Sequence, residues 1–265
     1  MVSLDRRLVR PGATLAWSDS EGPGPVVVLV HGAGMDHRMF DDQAEGLHDA
    51  GYRVLLCDLR GHGSSSLGRR FAAADALDDL IALLDAAEVS SAVLAGHSLG
   101  GNLVQELARR HPDRVTGLVV MDATWNTGPL TRLERLALRA AAPALRAIPA
   151  AALPRLMARA SAVSPEAVAL TQATFERMPK PTFVDVWRAT VSFVHPEPAH
   201  RTPVPLALIR GARDRTGNIA TAMPRWARAE GVHERVVPDA GHIVTWDAPG
   251  PSTRALLDAL TALGP

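Results

Sequence analysis

The 265-residue chain has one cysteine, Cys57. A lone thiol cannot close an internal disulfide, so the fold must rest on its core. Cys57 falls within a strand-like run and reads as a core residue rather than a reactive thiol. Lysine is nearly absent: Lys180 is the only one, and arginine supplies the rest of the 28 basic residues. That bias reads as genome composition before function. No charge sign is in excess, because 28 acidic residues balance the basic ones. Nucleic-acid binding normally needs a basic excess or patch, and neither is present. Long apolar runs are missing too. No wholly aliphatic stretch is longer than the five residues of Val26 to Val30, far short of the roughly 20 residues that cross a membrane. No apolar stretch of signal-peptide length follows the charged segment Met1–Gly12. The expectation is a soluble cytoplasmic chain with no membrane or nucleic-acid partner. H-E-x-x-H, paired C-x-x-C and G-x-x-x-x-G-K-[ST] are all absent, so neither a zinc site nor a P-loop is expected.

What is present is a globular composition, 47% hydrophobic and 21% charged. That excludes a chain too polar to offset its ordering entropy. Strand-like and helix-like segments alternate, the pattern of parallel strands joined by crossover helices. Arg7–Arg10 and Thr14–Ser18 read as antiparallel edge strands. Pro25–Val30, Tyr52–Cys57, Ala92–Ala95 and Leu118–Met121 are apolar runs suited to strands buried on both faces. Leu206–Ile209 and Glu234–Val237 complete eight strands. Helical spacing marks residues 72–87, Ser98–Arg110 and the segment carrying Leu256, Leu257, Leu260 and Leu263. His111-Pro112 ends the second of these, since a residue before proline leaves the α region. Residues 128–200 carry no strand signal and are rich in alanine, arginine and proline. Pro143, Pro149, Pro154 and Pro165 should cut this stretch into short helices. The expected organisation is one core domain, 1–127 with 201–265, interrupted by a helical cap insertion at 128–200.

One motif carries chemistry. Gly96-His97-Ser98-Leu99-Gly100-Gly101 lies between a predicted strand and a predicted helix and matches G-x-S-x-G. A sharp turn there exposes the middle side chain in a strained backbone conformation. The flanking positions must be small, and glycine stands at both 96 and 100. Ser98 then sits at the positive end of a helix, where developing negative charge is favoured. The plainer reading of Ser98 is a helix N-cap. A serine hydroxyl needs a base, and the base needs an orienting carboxylate. His242 follows the strand Glu234–Val237, and Asp214 follows Leu206–Ile209. Catalytic groups in open α/β sheets gather at the carboxyl ends of strands. The order serine, aspartate, histidine is the one an α/β-hydrolase uses. His31-Gly32-Ala33-Gly34 also follows a buried strand. Its glycines permit close backbone approach, and the Ala33 and Leu99 amides are placed to hold an oxyanion.

These motifs resemble those of the α/β-hydrolase superfamily, in its serine hydrolase, esterase-like branch. The likeness rests on four features in order: His31-Gly32-Ala33-Gly34, Asp58-Leu59-Arg60-Gly61-His62-Gly63-Ser64-Ser65, the Ser98 elbow, and the Asp214/His242 pair. It covers essentially the whole chain. It implies a mostly parallel, doubly wound eight-stranded sheet with a helical cap. It makes Ser98 the nucleophile, His242 the general base and Asp214 the orienting acid, with Ala33 and Leu99 forming the oxyanion hole. Serine at the elbow departs from the epoxide hydrolase and haloalkane dehalogenase branches, which use aspartate there.

Rival readings attach to several residues. Asp122 also ends a strand, and some relatives carry the acid at that place; its plain role is to bond loop amides. Asp58, Arg60 and His62 resemble a structural loop. His31 and His97 read as structural. His37, Met39 and Phe40 either line the pocket or lie at the surface. Trp125, Phe175, Trp187 and Phe193 either face an apolar pocket or fix the cap to the core. Gly34, Met39, Trp125 and Trp187 are the expected substrate contacts. His195 and His200 lack a third partner for a metal. The expected function is hydrolysis of a carboxylic ester of a small to medium apolar substrate, without metal or organic cofactor. A thioester, lactone, carbon–carbon bond or peroxide acceptor fits the same triad. So does acyl transfer, or a slow relative that binds its ligand without turnover.

Overall fold

The computed structural model describes residues 2–264. Eight strands form one sheet: β1 (Arg6–Arg10), β2 (Ala13–Asp19), β3 (Val26–Val30), β4 (Arg53–Cys57), β5 (Ala92–His97), β6 (Val115–Met121), β7 (Leu206–Gly211) and β8 (Glu234–Val237). Their order across the sheet is β1-β2-β4-β3-β5-β6-β7-β8. Only the β1/β2 and β2/β4 pairs are antiparallel; all other pairs are parallel. Ten α-helices accompany them among the described residues: α1 (Asp41–Asp49), α2 (Ala73–Ala86), α3 (Leu99–Arg110), α4 (Arg132–Ala147), α5 (Leu153–Ser161), α6 (Pro165–Phe175), α7 (Lys180–Ser192), α8 (Ile219–Glu230), α9 (Val244–Asp247) and α10 (Pro249–Leu263).

The sheet separates two cores, because successive strand side chains point to opposite faces. In β3, Val28 and Val30 join the core containing Leu80 of α2 and Leu103 of α3. Val27 and Leu29 join the core containing Leu47 of α1 and Leu256 of α10. Val27 to Val30 are 0–1% exposed, which explains why this strand reads as a continuous apolar run rather than an alternation. Truncating Leu29 to alanine would cost about 2–5 kcal/mol.

The chain between β6 and β7 holds the four helices α4 to α7 and no strand. Three prolines punctuate it as expected. Pro149 lies between α4 and α5, Pro154 at the second position of α5, and Pro165 at the first of α6. Pro143 does not: it lies inside α4. A mid-helix proline costs about 3 kcal/mol. Burial of Ala142 and Leu145 on either side of it opposes that cost. The helix begins on a capping box, in which Thr131 Oγ1 accepts from the Glu134 amide and Glu134 Oε2 accepts from the Thr131 amide. Helices α1, α8 and α9 have no counterpart in the sequence reading. No helix among the described residues is long and apolar enough to cross a membrane.

Candidate active site

β5 runs directly into Ser98, whose φ of 52° and ψ of −116° mark the turn into α3. That φ is unusual for a residue with a side chain, and glycine neighbours permit it. A Cβ on Gly96 would lie 2.4 Å from the Gly100 carbonyl oxygen, and one on Gly100 would lie 2.0 Å from that of Val30. Ser98 is half-buried, so its hydroxyl is reachable.

β7 and β8 deliver the other two groups. At the end of β7, a Cβ on Gly211 would lie 2.1 Å from the Gly241 carbonyl oxygen. Glycine there lets the two loops touch. Backbone bonds then lock them: the Ala212 amide donates to Val237 and the Arg213 amide to Ala240. The result places His242 Nδ1 3.0 Å from Asp214 Oδ2, and His242 Nε2 3.0 Å from Ser98 Oγ. Asp214 Oδ1 accepts from the Thr216 amide at 2.7 Å. The His242 loop is held from two further sides. His97 Nε2 donates to the His242 carbonyl oxygen at 2.6 Å. Asp247 accepts from the Gly241 amide with one oxygen and from the Ser164 amide with the other, tying the His242 loop to the start of α6.

Burial alone would raise the Asp214 carboxyl. His242 beside it and the Thr216 amide outweigh that and bring it to about 2. Asp122 goes the other way. It is fully buried, and burial together with the neighbouring Asp214 charge holds its carboxyl well above the ordinary carboxylate range. Its Oδ1 accepts from the Gly211 amide at 2.8 Å. Asp122 therefore takes the loop-holding role rather than a bond to His242. Burial, with His242 alongside, lowers His97 to about 3, so its ring is neutral. Asp122, Asp214 and His242 each bring one donor atom within 4.8 Å of the others. Both Asp214 oxygens are already committed to His242 and Thr216, which favours a hydrogen-bonded relay over a metal cage.

The Ala33 and Leu99 amides donate to no protein acceptor among the described residues. Leu99 is the first residue of α3, where helical amides lack an internal partner. Two cavities meet at Ser98. One of about 340 Å³ lies under α4 and α7, with Leu138, Ala141, Trp187 and Val191 in its wall. The other is about 20 Å³ and touches His242, Met35, Met157, Ser161 and Phe175.

The expected substrate contacts divide. Trp187 lines both cavities. Gly34 does not face either one; a Cβ there would lie 2.3 Å from Phe175, so it lets Phe175 close the smaller cavity's wall. Met39, 1% exposed, lies in the core with Phe40. His37 is buried as well: its amide and Nδ1 both bond Asp58 Oδ1. These three residues neither line the pocket nor lie at the surface, because the turn His37–Phe40 points them inward. Trp125 stacks on Trp226 at 5.9 Å, away from both cavities. Phe193 is buried in the core behind α7, whereas Phe175 lines the small cavity. The remaining rivals are structural. His31 Nε2 accepts from the Leu59 amide, and Arg60 pairs with Asp79. Met35, Met157, Ser161 and Thr216 escaped the sequence reading. The only signal for Met157 and Ser161 is a four-residue spacing on one helix.

A model described as the alpha/beta hydrolase fold matches residues 25–249. A thermophilic esterase from Thermogutta terrifontis superposes with a TM-score of 0.82 at 25% identity, covering 98% of this chain and 100% of that one. A pimeloyl-[acyl-carrier protein] methyl ester esterase from Chromobacterium violaceum is 42% identical over 112 residues, 39% of this chain and 42% of its own. A putative non-heme haloperoxidase from Mycobacterium phage D29 is 35% identical over 103 residues, 38% of this chain and 37% of its own. The alignments with these curated relatives thus span less than half of either partner. The family match runs through most of the sequence and includes every strand of the parallel part of the sheet, and on it this chain belongs to the alpha/beta hydrolase fold family.

Proposed function

We propose that the protein is a serine hydrolase that cleaves a carboxylic ester of an apolar substrate through an acyl-serine intermediate. The observation that carries this reading is the continuous relay from Asp214 through His242 to Ser98, with both links at 3.0 Å. His242 Nε2 takes the Ser98 proton as Oγ attacks the ester carbonyl carbon. The oxyanion that forms is held by the Ala33 and Leu99 amides, each worth about 3 kcal/mol of barrier. The carbon–oxygen bond to the alcohol breaks, and His242 returns the proton to the leaving oxygen. Water then enters, loses a proton to His242 and attacks the acyl carbon. The acid departs and Ser98 regains its proton. Asp214 stays ionised throughout, fixing the imidazole tautomer and offsetting its transient charge. Helices α4 to α7 serve as the cap that shapes the substrate space. Neither metal nor organic cofactor enters any step. The esterase relatives agree with this reading.

The test is mass spectrometry of protein quenched during turnover of a chain-length series of esters. The peptide containing Ser98 should gain the mass of the acyl group, and Ser98→Ala should abolish both adduct and turnover. Turnover that survives in Ser98→Ala would overturn the assignment. Stoichiometric ligand capture without turnover would make the protein a binder.

A further inference from the structure

The two cavities at Ser98 differ in size by an order of magnitude, about 340 Å³ against about 20 Å³. They also differ in what they touch. The small one includes His242, whereas the large one reaches Ser98 from the side of Asn102, Ala123 and Thr124 without touching His242. Building on the serine-hydrolase reading above, we infer that this enzyme is selective for esters joining a long apolar acyl chain to a very small alcohol, a methyl group.

Proton transfer decides which half of the ester goes where. The leaving oxygen must take its proton from His242 Nε2, so the alkoxy group occupies the cavity that contains His242. That cavity accommodates about one water-sized body on the same measure. A methyl group fits it, and a longer alkyl chain meets Met157, Phe175 and Met35. Deacylation makes the same demand. Once the alcohol has left, a water molecule must stand beside His242 where the alcohol stood. A compartment with room for one small group serves both half-reactions in turn.

The acyl chain takes the larger cavity. Two helix faces line it, Ala137 and Ala141 of α4 being four residues apart and Trp187 and Val191 of α7 likewise. Residues so spaced share a face. The alanines matter most, because their short side chains leave volume in which an alkyl chain can lie.

Two isomeric esters test the assignment at equal atom count and nearly equal hydrophobicity: methyl octanoate and heptyl acetate. Acid release is followed by pH-stat, and fluorophosphonate labelling of Ser98 reports the nucleophile independently. Methyl octanoate should show kcat/KM at least about tenfold higher, a factor that exclusion of even one methylene can produce. Met157→Ala should raise heptyl acetate turnover relative to methyl octanoate. Ala141→Trp should reduce methyl octanoate turnover relative to methyl acetate. Equal rates, or faster heptyl acetate, would overturn the inference. Labelled Ser98 with neither isomer cleaved would overturn it too, while leaving the serine nucleophile in place. Absence of labelling in folded protein would instead remove the hydrolase reading on which it rests.

Discussion

Asp122 and Asp214 stand together at the ends of neighbouring strands β6 and β7, yet only Asp214 bonds His242. Asp122 instead accepts from the Gly211 amide, at the start of the loop that carries Asp214. Two carboxyl groups this close and this buried cannot share charge equally. The one facing the histidine ionises and the other keeps its proton. Asp214→Asn should therefore lower kcat/KM by about 10³–10⁴-fold, because the imidazole loses both its tautomer and its countercharge. Asp122→Asn should change kcat/KM little. Kinetics of both variants on one ester decide the matter, and the reverse pattern would move the orienting acid to Asp122.

The same pair makes opposite contributions to stability as pH changes. Asp214 is lowered from 3.8 to about 2 in the folded state. Its contribution is present above 3.8 and disappears as pH falls toward 2. Asp122 is raised above 3.8. As pH climbs past that value the unfolded chain ionises while the folded one holds its proton, so Asp122 destabilises increasingly. Asp122→Asn removes this penalty and keeps the oxygen that the Gly211 amide needs. The variant should melt higher than wild type at neutral pH, and the gap should close near about pH 4. Thermal denaturation across that range measures it. A variant no more stable than wild type at neutral pH would mean that Asp122 is ionised.

Much of this architecture is legible in the amino-acid sequence, for identifiable reasons. Strands buried on both faces, such as β3, β4 and β7, show as apolar runs, while the less buried β1 and β8 show only as short strand-like segments; all eight are visible. The site follows from them, since Ser98, Asp214 and His242 each come just after a strand. Helix α1 escapes because its sequence, DDQAEGLHD, buries only Gln43, Ala44 and Leu47. Helix α8 is masked by Pro224 within it. The pocket is the least legible part. Met39 and Trp125 have the chemistry of pocket residues, yet a one-turn helix directs the first inward and Trp226 captures the second. Which face of α4, α5 or α7 looks toward Ser98 is set by packing between segments far apart in the chain. No local pattern records that.

The loop after β4 carries one partner of a buried ion pair. Arg60 and Asp79 are each 1% exposed and share two bonds of 2.7 Å. Arg60 also lies 2.9 Å from Asp75, and Arg10 3.1 Å from Asp79. Removing Asp79 leaves Arg60 with only the partly exposed Asp75 beside it, at a cost of up to about 3–5 kcal/mol. Asp79→Ala should lose that much in urea denaturation. The double variant Arg60→Met, Asp79→Leu should recover most of it, because no buried charge is then left unpaired. A single variant as stable as wild type would show that Asp75 or water compensates the Arg60 charge.

The elbow makes a sharper demand. A Cβ at position 100 would lie 2.0 Å from the Val30 oxygen and 2.8 Å from that of His31. Both contacts are backbone, so no side-chain rotation relieves them. Either the start of α3 or the segment leading to Ala33 must shift, and these carry the two amides assigned to the oxyanion. A displacement of even about 1 Å at such a site costs roughly 100-fold. Gly100→Ala should therefore lower kcat by at least that factor while helical content holds. Gly117→Ala in β6 is the control, since its added Cβ meets only side chains, the tip of Leu263 at 3.0 Å and Val93 at 3.6 Å. Circular dichroism with steady-state kinetics separates the cases. Near-normal kcat in Gly100→Ala would show that the Val30 backbone yields without disturbing the amides, and the geometric argument for the oxyanion hole would fail.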